Sequence, residues 1–169
     1  PGAVSSVTSS GNRFEYEIIP GGEDNRLAGI CGSGILDFTA CALESGLIQS
    51  DGALAPVCAE SGVRLDAAGA VRLTQQDVRE IQLAKAAVRS GIAVLLEKAG
   101  LSAEDVLSVI LAGGFGLYLR ERSALAIGLL PASFAGRISA PGNTSLAGAV
   151  GRLLDDSMEM CCRTFVGAA

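Results

Sequence analysis

The chain has 169 residues with a net charge of −5, and 49% of its residues are hydrophobic, 18% charged and only 4% aromatic. This length and apolar content are typical of one folded domain with its own core and argue against a disordered chain. The Lys and Arg residues are scattered, which argues against nucleic acid as a partner because phosphate backbones need clustered basic side chains.

The first third of the chain predicts a β-hairpin followed by a helix. Residues 4–8 and 14–19 collect β-forming side chains on either side of a Ser-Gly-Asn turn. Residues 29–34 (GICGSG) then open a helix, for which we predict Ser33 as the N-cap and Gly46 as the terminating residue.

The middle third contains the strongest helical signal. Two short strands are predicted at residues 63–65 and 71–73. Thr74 begins a long helix, because Asp77 three residues later completes a capping box and apolar residues keep helical spacing as far as Gly100.

The second half alternates between strands and helices. After a helical turn capped by Ser102, the Val- and Ile-rich residues 106–112 predict a buried parallel strand. A helix is predicted at residues 120–130, ended by Pro131, and a small strand at residues 137–140. This alternation favours an α/β layer with a mixed, partly parallel sheet.

One final helix is predicted to start at a cap formed by Asn143 or Thr144 and to extend through Met158. Gly148 and Gly151 lie inside this helix and lower its stability. We therefore expect these glycines to allow the close approach of a neighbouring element.

Paired glycines at the end of the predicted parallel strand are the sharpest candidate for a binding site. Ligands of open α/β sheets bind beyond the carboxyl ends of the strands, and Gly113 and Gly114 follow residues 109–112 there. Glycine lets a planar base or a phosphate approach the backbone, and Phe115 is placed to pack beside such a base. The alternative is a tight turn that binds nothing.

The long helix carries a second candidate. Gln82, Lys85 and Arg89 share one side of this helix and offer donors for hydroxyl or phosphate groups. The alternative is a solvated helix face.

A third candidate is the start of the first helix. The N–H groups of Gly32, Ser33 and Gly34 and the positive end of the helix dipole attract anions, and the alternative is a bare helix cap. The segment is not a P-loop, because Ile35 stands where that motif needs Lys. We also expect the helix start to lower the pKa of the Cys31 thiol.

The remaining polar residues predict neither catalysis nor a metal site. The carboxylates of Asp37, Glu44, Asp77 and Glu80 are interpreted as structural groups at capping or surface positions. His is absent and no C-x-x-C pair occurs, so zinc or iron–sulfur ligation by this chain is not expected. An odd number of cysteines is typical of reduced thiols in a cytoplasmic protein. The cysteines are Cys31, Cys41, Cys58, Cys161 and Cys162.

We expect residues 1–169 to form a single domain from a longer protein, because the chain starts at Pro1 and not at Met. Residues 107–119 and 124–136 are uncharged but shorter than the about 20 residues of a membrane-spanning helix, so no membrane association is expected.

Five segments occur in an order that resembles a known family. They are residues 29–37 (GICGSGILD), 73–90 (LTQQDVREIQLAKAAVRS), 111–116 (LAGGFG), 123–131 (SALAIGLLP) and 142–149 (GNTSLAGA). Together they resemble the C-terminal region of the reductive activators of corrinoid proteins. The resemblance covers roughly residues 1–155.

The resemblance implies a fold of the acetate kinase, sugar kinase, heat-shock chaperone and actin class, in which two related lobes enclose ATP. This chain is then one RNase H-like lobe, with a mixed sheet flanked by helices and a β-hairpin at its start. The glycine turn after the parallel strand is similar to the adenosine motif of the class. The candidate nucleotide-binding residues are Gly32, Ser33, Gly34, Gln82, Lys85, Arg89, Gly113, Gly114 and Phe115.

Parts of the class pattern are not visible in this sequence. The two phosphate-binding hairpins that hold Mg²⁺ and ATP, and a ferredoxin domain with an iron–sulfur cluster, are expected upstream of Pro1. The chain alone is therefore expected to be neither a redox centre nor a competent ATPase, and no catalytic or metal-binding residue is assigned in it.

For the parent protein, the resemblance implies that an iron–sulfur cluster passes one electron to a Co(II) corrinoid protein to give Co(I). Closure of the lobes around ATP or ADP drives the step. The expected partners are the corrinoid protein and a second copy of the chain. The alternatives are a non-enzymatic docking module for a corrinoid protein or for self-association, and a small-molecule kinase lobe.

Overall fold

The computed structural model describes residues 1–10, 13–21, 27–116, 118–155 and 157–167. The strands in these ranges are β1 (Ala3–Ser10), β2 (Arg13–Ile18), β3 (Gly29–Ile30), β4 (Val63–Arg64), β5 (Arg72–Leu73), β6 (Val109–Ala112) and β7 (Ile138–Gly142). The helices are α1 (Gly32–Glu44), α2 (Gln75–Ala99), the single turn α3 (Gly113–Gly116), α4 (Glu121–Ala126), α5 (Thr144–Leu154) and α6 (Met158–Gly167). The predicted mixed α/β architecture is confirmed.

The N-terminal sheet has the strand order β2-β1-β3. β1 pairs antiparallel with β2, which confirms the predicted hairpin, and pairs parallel with β3 through Ala3 and Val4. The turn residues Gly11 and Asn12 lie outside the described residues.

Helix α1 begins two residues earlier than the sequence predicts. Its N-cap is Cys31, and the predicted N-cap Ser33 lies inside the helix. The Ser33 hydroxyl donates to the backbone oxygen of Ser5 at 2.9 Å, so it anchors α1 to β1 and does not cap the helix. The prediction for the other end is confirmed, because Gly46 follows the C-cap with a φ of +71°.

Helix α2 has the predicted boundaries. The Thr74 hydroxyl accepts from the Asp77 N–H at 3.2 Å, and the Asp77 carboxylate accepts from the Thr74 N–H at 2.8 Å. Gly100 ends the helix in the left-handed conformation with φ +66°. The two predicted short strands precede the helix as β4 and β5, which pair antiparallel.

The second sheet pairs β6 and β7 in parallel, which confirms the predicted orientation. The predicted burial of this strand is wrong, because Ile110 is 63% exposed. β6 is also shorter than predicted, and its side chains alternate between partly buried and exposed.

Two predicted helices have different ends. The helix predicted at residues 120–130 stops at Ala126, because the chain turns at Gly128 with φ +74° and both following N–H groups donate to Ala124 O. The predicted final helix is two helices. α5 has Asn143 as its N-cap and ends before Asp155, whose backbone is extended, and Met158 begins α6.

A buried carboxylate joins three of these elements. Asp37 of α1 is 1% exposed, which corrects its interpretation as a capping or surface residue. It accepts from the Val7 N–H of β1 at 3.2 Å and from the Ser123 hydroxyl of α4 at 2.5 Å. The Arg120 guanidinium lies 3.5 Å from the same carboxylate and donates to Val7 O at 3.4 Å. A buried charge with these partners fixes β1, α1 and α4 relative to one another.

Substitution of Asp37 tests this link. We expect Asp37→Ala to lower the free energy of unfolding by about 2–4 kcal/mol, because Ser123 and the Val7 N–H lose their buried acceptor. Glu44→Ala is the matched control on the same helix, since the Glu44–Arg122 ion pair is largely exposed and contributes less than about 1 kcal/mol. Urea unfolding followed by circular dichroism measures both. Equal losses for the two variants would contradict a structural role for the Asp37 cluster.

Candidate functional site

A cavity of about 690 Å³ lies between α1, α2, β6 and the segment that follows α4. Its walls are mainly aliphatic, and a few charged or backbone groups stand at its edge. The lining residues are Gly32, Ile35, Leu36, Asp77, Glu80, Ile81, Ala84, Lys85, Val88, Ile110, Leu111, Ala112, Gly116, Leu119, Leu129 and Leu130. A volume of this size, with apolar walls and a few polar groups, suits a drug-sized ligand.

Lys85 is the cation of this cavity. Its Nζ donates to the backbone oxygen of Ile127 at 2.7 Å, at the carboxyl end of α4. Gly128 follows Ile127 with a φ of +74°, so the chain turns directly beside this ammonium group. An ammonium has three donors, and one bond to Ile127 therefore leaves Lys85 able to donate to a ligand.

The other two polar residues predicted on this helix face are placed differently. Gln82 Nε2 donates to Asp51 O at 3.1 Å, and Gln82 Oε1 accepts from Arg79 at 2.6 Å. Gln82 lines a separate space of about 30 Å³, together with Lys85. Arg89 is exposed and is not among the residues that line the 690 Å³ cavity. Lys85 alone of the three reaches this cavity.

The glycine turn after β6 borders the cavity through its last residue. Gly116 lines the cavity, and a Cβ on it would stand 3.0 Å from the Leu111 carbonyl, so the tight turn needs glycine there. A Cβ on Gly113 or Gly114 would meet nothing within 4 Å, so both glycines face open space. Phe115 lies in α3, but its side chain is not among those that the structure describes.

The start of α1 separates two cavities. Gly32 lines the 690 Å³ cavity, whereas Cys31 and Ser33 line a second cavity of about 670 Å³ on the other side, with Arg120. Gly34 has a packing role, because a Cβ there would stand 2.5 Å from Val4 O.

The Cys31 thiol has the lowered pKa that the sequence predicts. Burial acts to raise this pKa, but the hydrogen-bond contacts of the sulfur with Ser33 Oγ and with the N–H groups of Gly34 and Ser33 act to lower it and outweigh the burial. The Cys31 sulfur lies 3.2 Å from Ser33 Oγ. Burial instead raises the pKa of Cys41.

Sequence reasoning missed Glu80 and the aliphatic walls. Glu80 is exposed at the edge of the cavity that also contains Lys85, so a carboxylate and an ammonium stand at one opening. Ile81, Ala84 and Val88 repeat at helical spacing on α2, and this spacing was the available signal that the helix presents an apolar wall.

The described ranges contain no group of three or more His, Cys, Asp or Glu side chains arranged to hold a metal ion. None of the helices in these ranges combines the length and the apolar character that crossing a bilayer requires.

Alkylation of Cys31 tests the electrostatics of the helix start. We expect its rate with iodoacetamide to rise with a midpoint pH below that of the same cysteine in the urea-unfolded chain. Ser33→Ala should move the folded midpoint upward, since the sulfur loses its hydrogen-bond contact with Ser33 Oγ, which lowers the pKa. Mass spectrometry of the Cys31 peptide gives the rates, and buried Cys41, whose pKa is raised, should stay unreacted over the same pH range. Equal midpoints in folded and unfolded chains would contradict the stabilisation of the thiolate.

Residues 1–166 match the family model described as the C-terminal domain of RACo, the ASKHA domain. The corrinoid activation enzyme RamQ of Eubacterium limosum is 32% identical over 152 residues, which cover 77% of this chain and 25% of that protein. The [Co(II) methylated amine-specific corrinoid protein] reductase of Methanosarcina barkeri is 31% identical over 119 residues, 70% of this chain and 21% of that protein. The solved structure of a reductive activator for corrinoid, iron-sulfur protein superposes with a TM-score of 0.80 at 29% identity, over 97% of this chain and 28% of that one.

Proposed function

The chain belongs to the family of C-terminal ASKHA domains of RACo, and from this premise we propose that it is the adenosine-binding lobe of a nucleotide-dependent activator that reduces Co(II) corrinoid proteins. It spans 25% and 21% of the two curated relatives, so the activity and the partners of the whole protein are part of this proposal. Cytoplasmic localisation remains a prediction.

The observation that carries the proposal is the 690 Å³ cavity that has Lys85 and Glu80 at its edge and glycine backbone at Gly32 and Gly116. Its aliphatic walls offer a dry surface for the faces of a purine ring. Glu80 is suited to accept hydrogen bonds from ribose hydroxyls, and Lys85 to donate to ribose or phosphate oxygens.

The residues of this lobe do not fit the metal-dependent part of the reaction. The described ranges contain no group of three or more carboxylates or thiols arranged to hold Mg²⁺ or an iron–sulfur cluster. We therefore assign phosphate neutralisation and electron transfer to other parts of the parent protein. The contribution of this chain is to bind and orient the nucleoside and to keep water from its base.

In the parent protein, nucleotide binding is proposed to close the two lobes on each other. A conformational change of this kind is able to bring an electron donor and a corrinoid partner together, provided that the nucleotide binds the closed state more tightly than the open one. The two relatives named for corrinoid activation and for corrinoid protein reduction support the role in corrinoid activation, and the closure itself is part of the proposal.

A docking module is the second candidate function. Large aliphatic side chains are exposed on the second half of the chain, including Leu107 at 90% and Leu153 at 85%. Such side chains are typical of a surface that another protein or a second copy covers. Calorimetry of the complete protein with Mg-ATP separates the two functions. A flat titration together with measurable binding of a corrinoid protein would favour docking alone. The third alternative, a small-molecule kinase lobe, remains a prediction, and we assign no binding site for a phosphate acceptor among the described residues.

Substitution of Lys85 tests its role at the nucleotide. In the complete protein, Lys85→Ala is expected to weaken ADP binding by about tenfold, the loss of one charge-assisted hydrogen bond. Lys98→Ala removes the same charge from the last turn of the same helix, away from the cavity, and should leave the affinity unchanged. Calorimetry measures both dissociation constants, and thermal unfolding shows whether loss of the Ile127 contact disturbs the fold. Normal ADP affinity in a folded Lys85→Ala variant would remove Lys85 from the site.

Filling the cavity is an independent test. Ala84 lines the cavity with an exposed side chain, so Ala84→Leu should obstruct the site and weaken ADP binding by about tenfold or more without loss of stability. Ala93→Leu places the same side chain on another exposed position of α2 and is the control. If both variants bind ADP as the parent does, the nucleotide does not occupy this cavity.

A further inference from the structure

Helix α6 carries a cluster of sulfur atoms far along the chain from the proposed nucleotide site. Met158, Cys161 and Cys162 stand at positions i, i+3 and i+4 of this helix. Side chains at this spacing are neighbours on one helix face, about 5–6 Å apart at Cβ. Both thiols are free and exposed. The three sulfur-bearing side chains therefore lie on one face of α6, with the two thiols one turn after the thioether.

The thioether is held against the neighbouring helix. A Cβ built on Gly151 of α5 would stand 2.8 Å from the Met158 sulfur, so glycine at this position makes room for the thioether. This close approach meets the expectation for Gly151. Gly148 has no atom within 4 Å of its Cβ position, so the same expectation is wrong there. Met158 is half-buried while the two thiols one turn later stay accessible.

Two ion pairs fix the helix that carries these sulfurs. Glu159 accepts from Arg152 of α5 at 2.5 Å and from Arg163 of α6 at 2.6 Å. Both pairs belong to the turn that carries the sulfur cluster, and the first joins it to α5. The two guanidinium groups also supply positive charge beside a cluster that becomes anionic when two thiolates bind one monovalent ion.

The ligand set selects the class of metal. Thiolates and thioethers are soft ligands that prefer copper(I), which accepts two or three sulfurs. A structural zinc site is usually tetrahedral with four N, S or O ligands, and the described ranges contain no group of three His, Cys, Asp or Glu arranged for a metal. We propose that Met158, Cys161 and Cys162 form a binding site for one soft monovalent metal ion of the copper(I) class. This differs from the expectation that all five cysteines are plain thiols.

Binding involves no change of oxidation state. Each thiol releases a proton, and the two thiolates form two sulfur–metal bonds. The thioether sulfur donates a lone pair for a third bond and keeps both of its carbon substituents. The affinity is therefore expected to rise with pH, since two protons leave when one ion binds.

Competition against a chromophoric copper(I) chelator, without oxygen, tests the site on the 169-residue chain. We expect one copper(I) per chain to be withdrawn from the chelator. The Cys161→Ser/Cys162→Ser variant should bind copper(I) with an affinity lower by roughly two orders of magnitude. Silver(I), which is not oxidised in air, should bind with the same stoichiometry by native mass spectrometry. Cys31→Ser is the control for another accessible thiol and should leave the stoichiometry unchanged.

A methionine pair tests the third ligand. Met158→Leu should weaken copper(I) binding by roughly tenfold, whereas Met160→Leu should not change it, because position 160 is rotated by about 200° from position 158 around the helix. Equal binding by the Met158→Leu and Met160→Leu variants would remove the thioether from the site. Equal binding by the double serine variant and the parent, or no withdrawal of copper(I) by either, would overturn the site altogether.

Discussion

The geometry of the candidate site depends on one buried carboxylate. Asp37 accepts from the β1 backbone at Val7 and from Ser123 of α4, and Arg120 bridges the same carboxylate to β1. An ionised group in this position is stable only with such partners. Leu119, which lines the 690 Å³ cavity, directly precedes Arg120. The carboxylate therefore sets the distance between the α1 wall of the cavity and the segment that leaves the glycine turn.

The same two segments form a partition between two cavities of similar size. Gly32 and Leu119 face the cavity of about 690 Å³, and their neighbours Cys31, Ser33 and Arg120 face the cavity of about 670 Å³. The Ser33 hydroxyl bonds to β1, so the partition is anchored on the β1 side as well. A substitution that moves one of these segments changes the walls of both cavities. The reactivity of Cys31 is consequently a local reporter on the wall of the proposed nucleotide site.

The sequence was most informative where the physical cause is local. The capping box of α2 joins Thr74 and Asp77 within one turn, so its residues predict the start of the helix directly. The bond from Ser123 to Asp37 spans 86 positions, and no periodicity of either segment shows that the two will meet. The same holds for the proposed binding face of α2. Helical spacing placed three polar residues on one side, but only the packing of the chain after α4 shows that Lys85 is the one that reaches the cavity.

The composition of the cavity explains why one lobe is expected to need another. A buried purine of about 150 Å² contributes about 4 kcal/mol at about 25 cal/mol per Å². Association costs about 4 kcal/mol or more in lost freedom of motion, so this burial alone gives little net affinity. Among the described residues that line the cavity, Lys85 is the one Lys or Arg, and it already donates to Ile127, so a polyphosphate finds little of its neutralising charge here. For the proposed nucleotide site, most of the phosphate binding energy is then expected to come from the rest of the parent protein. A nucleotide that gains its affinity only when both parts surround it stabilises the closed form, and this is the property that a nucleotide-driven activator requires.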